Sequence, residues 1–122
     1  MTELKRAAPQ FLVAGLARSL EFYEGKLGFE KDFEYEGFYA SVSRGGAAIH
    51  LKCAPRVEED RLHRKAHGHL DGHLAVSDVD GLYREFLGRE VPILRILDER
   101  PWGRDFFVEN PDGYILCFRS GP

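Results

Sequence analysis

Residues 9–29 read PQFLVAGLARSLEFYEGKLGF, a short apolar run that passes directly into a helical repeat. Pro9 and Gly15 bound the apolar run, which marks Pro9 to Ala14 as a strand. Beyond it, Leu16, Leu20, Tyr23 and Leu27 recur at spacings of three and four, so they share one helical face, and Gly28 supplies the C-terminal stop. From Phe29 to Cys53 the period changes to two. Phe38, Ala40 and Val42 alternate with Tyr39, Ser41 and Ser43 up to the turn at Gly45-Gly46, the pattern of a hairpin.

The same order of signals returns near His69. Leu74 and Val76 alternate with His73 and Ala75 in a strand, and a helix follows with Ser77 as its expected N-cap, Asp80 in its first turn and Val79, Leu82 and Phe86 on its buried face. Three short strands complete the unit near Ile93 to Leu97, Asp105 to Glu109 and Tyr114 to Arg119. Asn110-Pro111-Asp112-Gly113 forms the turn between the last two, because proline presets φ and glycine accepts the left-handed conformation. A strand, a helix and three strands therefore occur twice, at an offset of about 65 residues. The expected organisation is a single α+β domain over residues 1–122, with repeat 1 at about 7–53, a charged linker with one helical turn at about 54–68 and repeat 2 at about 69–120. Two βαβββ modules of this kind are expected to form a curved mixed sheet around a groove.

Turn geometry decides which side chains reach that groove. Pairing Arg44 with Ala47 sets Val42 against Ile49 and Ala40 against Leu51, an apolar face for the helix, and leaves Tyr39, Ser41, Ser43, His50 and Lys52 on the other. A three-residue turn at Pro111-Asp112-Gly113 sets Val108 against Leu116 and Phe106 against Phe118. Asp105, Phe107, Glu109, Ile115, Cys117 and Arg119 are then expected on the opposite face, with His73 and Ala75 from the preceding strand, and with Ala8, Gln10 and Leu12 from the first strand of the chain. A concave surface of this mixed polar and aromatic composition suits a small ligand with flat apolar and charged parts.

Two stretches carry a family resemblance. Leu16 to Phe29, LARSLEFYEGKLGF, and Trp102 to Phe118, WGRDFFVENPDGYILCF, resemble the two signature segments of the vicinal-oxygen-chelate superfamily, the "SxxFYxxxLGF" helix and the closing "NPDG" hairpin. The resemblance covers nearly the whole chain and implies the glyoxalase/bleomycin-resistance fold. It does not by itself assign a chemistry, since one fold hosts many functions. Metal-dependent members such as glyoxalase I hold a divalent ion with one side chain from the first and one from the last strand of each half. By resemblance those positions fall on Ala8, His50, His73 and Cys117, so a methyl group replaces one ligand and a thiol stands where glutamate is usual. A hard octahedral ion would be held weakly by His50 and His73 alone. With the Cys117 thiolate they would form a softer His₂Cys site of zinc type.

His67, His69 and His73 also lie close in sequence, but His69 and His73 would stand about 13 Å apart along one strand, too far to share an ion. Trp102, the only tryptophan, precedes a groove strand in a Pro-Trp-Gly loop. Bleomycin-resistance proteins carry a similar Trp-Gly, and the resemblance implies a stacking platform for a flat ligand.

Composition narrows the partners. The 17 basic residues are scattered among 20 acidic ones, with a net charge of −3, so no basic stripe for nucleic acid exists. No apolar run is long enough for a membrane span, and Lys5 and Arg6 are followed by no apolar h-region. Cys53 and Cys117 are too few for a disulfide framework and are read as free thiols in a cytoplasmic protein. The leading expectation is a metal-free protein, without cofactor, that sequesters a small aromatic or cationic compound such as an antibiotic. Its expected ligand-binding residues are Tyr39, Ser41, His50, Lys52, His73, Trp102, Phe107, Glu109, Cys117 and Arg119. The alternative is a lyase or dioxygenase of the glyoxalase type using one divalent metal ion on His50, His73 and Cys117, with Glu109 or Cys117 handling protons; a third reading is an accessory domain for protein association. The resemblance also implies a homodimer.

Overall fold

The computed structural model describes residues 2–57, 59, 61–62 and 70–121. His67 and His69, most of the expected linker and the expected start of the second repeat lie outside the described residues. The chain divides into two units, Met1–Val57 and Glu58–Pro122.

The first unit contains β1 (Gln10–Val13), α1 (Leu16–Glu21), β2 (Glu30–Tyr35), β3 (Tyr39–Arg44) and β4 (Ala47–Cys53). Its sheet runs β1-β4-β3-β2, with β1 parallel to β4 and the other pairs antiparallel. The second unit contains β5 (Gly72–Ala75), α2 (Val79–Gly88), β6 (Ile93–Arg100), β7 (Gly103–Glu109) and β8 (Ile115–Ser120). Its sheet repeats the order as β5-β8-β7-β6, with β5 parallel to β8. Two four-stranded mixed sheets, each with its own helix, realise the expected duplication. Before β5, Val57, Glu59, Arg61 and Leu62 are helical, in keeping with the helical turn expected in the linker.

The registers agree with those read from the turns. Val42 faces Ile49, Ala40 faces Leu51 and Arg44 faces Ala47; Val108 faces Leu116 and Phe106 faces Phe118. The apolar members of these pairs other than Ala47 are 0–2% exposed and carry the helices. In the second unit the core is aromatic: Phe118 stacks on Phe106 at 5.4 Å between centroids and meets Phe86 of α2 edge-on at 5.2 Å.

Four local expectations change. The first helix is α-helical only to Glu21, and Phe22–Lys26 forms a π-helical turn closed by Leu27 N–H donating to the Phe22 carbonyl at 3.1 Å. The extra residue in that turn lets adjacent Phe22 and Tyr23 both bury, at 6% and 0% exposure, together with Leu27. The second helix is capped by Asp78 and not by Ser77, because helical geometry starts at Val79 and the Asp78 carboxylate accepts from Gly81 N–H at 3.0 Å. Leu82 on that helix is only half-buried. Phe38, expected on the apolar face, sits instead in the tip between β2 and β3 and is 41% exposed; Glu36 and Gly37 both take positive φ there and carry it out of the strand. No helix among the described residues is long and apolar enough to cross a membrane.

Candidate functional site

Each sheet has one face covered by its helix and one that is polar and aromatic. In the first unit the second face carries Tyr39, Ser41, His50 and Lys52, as the alternation requires. Gln10 lies opposite His50 in the parallel register and donates from Nε2 to the Tyr39 hydroxyl at 3.0 Å; Tyr39 and His50 Nδ1 are 2.8 Å apart. The contact with Tyr39 occupies Nδ1 and leaves Nε2 as the ring's other hydrogen-bonding nitrogen.

Sequence reasoning missed the rest of this face. The register of β2 against β3 slips between Lys31 and Phe33, so Asp32 is an inserted residue whose carboxylate reaches both serines of β3. Ser43 Oγ donates to it at 2.7 Å and Ser41 Oγ at 2.9 Å, and Arg6 lies 3.3 Å away. The hydrogen bond from Ser43, then that from Ser41 and the Arg6 charge, hold the Asp32 carboxyl below the usual carboxylate range against the opposing effect of desolvation. After the slip Phe33 is aligned with Ser41, and its ring stacks parallel to Tyr39 at 6.3 Å and edge-on to His50 at 5.9 Å. Tyr35 and Phe38 continue the cluster at the hairpin tip, with exposures of 58% and 41% against 47% for Phe33. The aromatic alternation of residues 33 and 35 was a visible signal, but the bulge at Asp32 hides which face it belongs to.

In the second unit the helix-free face carries Asp105, Phe107, Glu109, Cys117 and Arg119, with His73 aligned to Cys117. Asp105 was expected on this face but not among the ligand-binding residues, and it proves to be the buried hub. Its carboxylate accepts from Trp102 Nε1 at 3.2 Å and from Arg100 Nε at 3.4 Å, and Cys117 Sγ lies 3.8 Å from it. Trp102 is thus tethered yet half-exposed in the turn before β7. Gly103 after it has φ +133°, and a Cβ there would collide with the Ser120 carbonyl, so the glycine is a geometric requirement of the turn. Arg95 of β6 lies over Phe107 at 4.8 Å. His73 is exposed, whereas Cys117 is buried. Burial first, and the Asp105 charge second, push the Cys117 thiol up to about 11.

Neither face gathers a metal centre: among the described residues no three His, Cys, Asp or Glu side chains stand close enough to hold an ion. Ala8 precedes β1 and offers no donor atom.

A duplicated strand-helix-three-strand chain, with polar and aromatic faces opposite its helices, is the plan of a protein class that has diversified the exposed faces of one fold. The family model described as Glyoxalase/Bleomycin resistance protein/Dioxygenase superfamily matches residues 6–118, and the chain belongs to that superfamily. A bleomycin-binding protein from bleomycin-producing Streptomyces verticillus, solved with copper(II)-bleomycin, is 25% identical over the full length of both chains, with a TM-score of 0.77. A bleomycin-binding protein solved with bleomycin is 20% identical, with 98% of this chain and 100% of that one covered and a TM-score of 0.80. TioX from Micromonospora sp. ML1 is 15% identical over 96% and 98% of the two chains, with a TM-score of 0.76. The last two likenesses speak to fold alone. No curated protein sequence matches the chain.

Proposed function

We propose that this protein binds a small flat cationic compound, an antibiotic being the candidate class, and sequesters it in the cytoplasm without metal and without chemical change. The observation that carries this reading is the aromatic cluster of exposed Phe33, Tyr35 and Phe38 with half-buried Tyr39, on the face that also holds the Asp32 carboxylate. Aromatic faces attract both flat rings and cations, and a carboxylate kept ionised by two serine hydroxyls supplies the countercharge. His50 contributes a ring nitrogen oriented by Tyr39, and exposed Lys52 limits how far positive charge can extend along β4. Similarity to bleomycin-binding proteins supports the ligand class.

The glyoxalase-type alternative needs a divalent ion, and the donor set does not fit one. Ala8 has no ligand atom, and Cys117 would have to lose its proton while buried beside a carboxylate. A homodimer is part of the proposal, supported by the exposed apolar side chains Leu94 and Ile96 on the edge strand β6; light scattering at micromolar concentration should give twice the chain mass.

The direct test is calorimetry with flat cationic compounds, bleomycin included, against the wild type, Phe33→Ala and Asp32→Asn. Each substitution should weaken binding by about 1–3 kcal/mol with the fold intact. Binding that is indifferent to both substitutions would overturn the reading.

A further inference from the structure

Residues 2–9 run ahead of β1 without helix or strand, and every one of them is exposed, Leu4 at 99%. Arg6, within this arm, nevertheless holds Asp32, with its Nη1 3.3 Å from Oδ2. Building on the cation site of the first sheet, we propose that the arm is an autoinhibitory strap: the Arg6 guanidinium occupies the Asp32 countercharge as an internal competitor, and a cationic ligand must displace it.

Sheet order shows how far the strap reaches. β1 and β2 are the two edges of the sheet β1-β4-β3-β2, three strand spacings or about 14 Å apart. An ion pair from residue 6, ahead of β1, to residue 32 on β2 therefore spans the width of the sheet. It does so on the helix-free side, because the Oδ2 that Arg6 meets also accepts from Ser41 Oγ, and Ser41 is aligned with His50 on that face. Pro9 supplies the pivot: its carbonyl accepts from His50 N–H at 2.8 Å, one residue ahead of the β1–β4 register at Gln10. Among the described residues these two contacts are the polar ties of the arm, and Leu4 packs on nothing. The arm is thus hinged at Pro9 and latched by Arg6.

The latch stands where the ligand's charge has to go. Ser43 donates to Oδ1 of Asp32 and Ser41 to Oδ2, and Arg6 shares Oδ2. A cation that stacks on Phe33 and Tyr39 and reaches the same carboxylate would bring a second positive charge within a few ångströms of the guanidinium, where like charges repel. Both partners of the pair are partly solvated, with side-chain exposures of 44% and 28%, so water can replace the contact at small cost. Displacement should accordingly weaken cation binding by about two- to fivefold, the size of an exposed ion pair expressed as affinity. A neutral ring does not compete for Asp32 and leaves the latch closed.

Calorimetry with 2-naphthylmethylammonium on the whole protein tests the competition. Arg6→Gln should bind the compound about two- to fivefold more tightly than the wild type. Lys5→Gln removes the same charge from the arm without touching the latch and should keep the wild-type affinity. In an Asp32→Asn background the gain from Arg6→Gln should vanish, since the pair is already broken. The Arg6 Nε–H resonance, assigned through Arg6→Gln, reads the latch without any ligand. It should move to the position of a free arginine in Asp32→Asn, and likewise in the wild type saturated with the compound. A free-arginine position in the unliganded wild type, wild-type affinity in Arg6→Gln, an equal gain in Lys5→Gln, or a gain that persists with Asp32→Asn would overturn the strap while leaving the cation site standing. Wild-type binding that is indifferent to Asp32→Asn, or absent from both the wild type and Arg6→Gln at millimolar concentration, would overturn the cation site and with it the competition.

Discussion

Asp105 is 2% exposed and carries one negative charge among a tryptophan, an arginine and a thiol. An asparagine has the same shape but presents one acceptor oxygen and an NH₂ group, so either Trp102 Nε1–H or Arg100 Nε–H would lose its acceptor. Asp105→Asn should therefore free the Trp102 ring, seen as a fall in fluorescence anisotropy, and cost about 1–3 kcal/mol of stability in urea unfolding. Unchanged anisotropy would mean that packing alone holds the ring. Asp32 offers a second test at the same scale, this time in pH. Its folded carboxyl titrates below the ordinary value of 3.8, so the stabilisation from its hydrogen bonds is complete above that value and is lost as pH falls through the lower, folded one. Affinity for a flat cation should accordingly survive acidification to the ordinary carboxylate range and fail only below it. Ser43→Ala removes the largest favourable contribution and should move that loss to higher pH. An identical pH profile in the variant would show that Asp32 is not the countercharge.

At the scale of elements, the two faces of β7 and β8 give opposite expectations for neighbouring phenylalanines. Phe118 is 2% exposed and packed between Phe86 and Phe106, so Phe118→Ala should cost roughly 3–5 kcal/mol by opening a cavity under α2. Phe107→Ala, on the helix-free face, should leave the melting temperature nearly unchanged. A stable Phe118→Ala protein would reverse the face assignment. That assignment was legible from sequence because a two-residue period and a glycine turn fix register without knowledge of any partner strand, as the Val42–Ile49 and Phe106–Phe118 pairs show. β2 and β6 were not legible in the same way. Both are edge strands whose alternation is broken by inserted residues, at Asp32 and on either side of Arg95. A bulge shifts every following side chain to the other face, and a single sequence does not announce where it falls. The candidate sites inherit this division. Tyr39, His50, Phe107 and Cys117 came from regular strands and stand on the faces predicted for them, whereas Asp32, Phe33 and the aim of Arg95 depend on bulges.

For the whole molecule the open question is whether a member of this superfamily with this donor set works without metal. A divalent site requires several donors whose lone pairs are free at neutral pH, and two of the four family positions do not supply one. Ala8 has no donor and Cys117 keeps its proton until about pH 11 in the absence of an ion, which leaves only the imidazoles of His50 and His73. An ion would have to displace that proton next to Asp105 and gain little ligation in return. Wild-type protein equilibrated with zinc or nickel and then dialysed against a mild chelator should thus retain clearly substoichiometric metal by elemental analysis. Ala8→His restores an imidazole at the one position that lacks any donor and should raise retention of nickel or zinc, with His50→Ala reversing the gain. A full equivalent held by the wild type through dialysis would refute the metal-free reading and return the glyoxalase-type alternative to first place. Raised retention in Ala8→His that persists after His50→Ala would place the ion elsewhere on the surface.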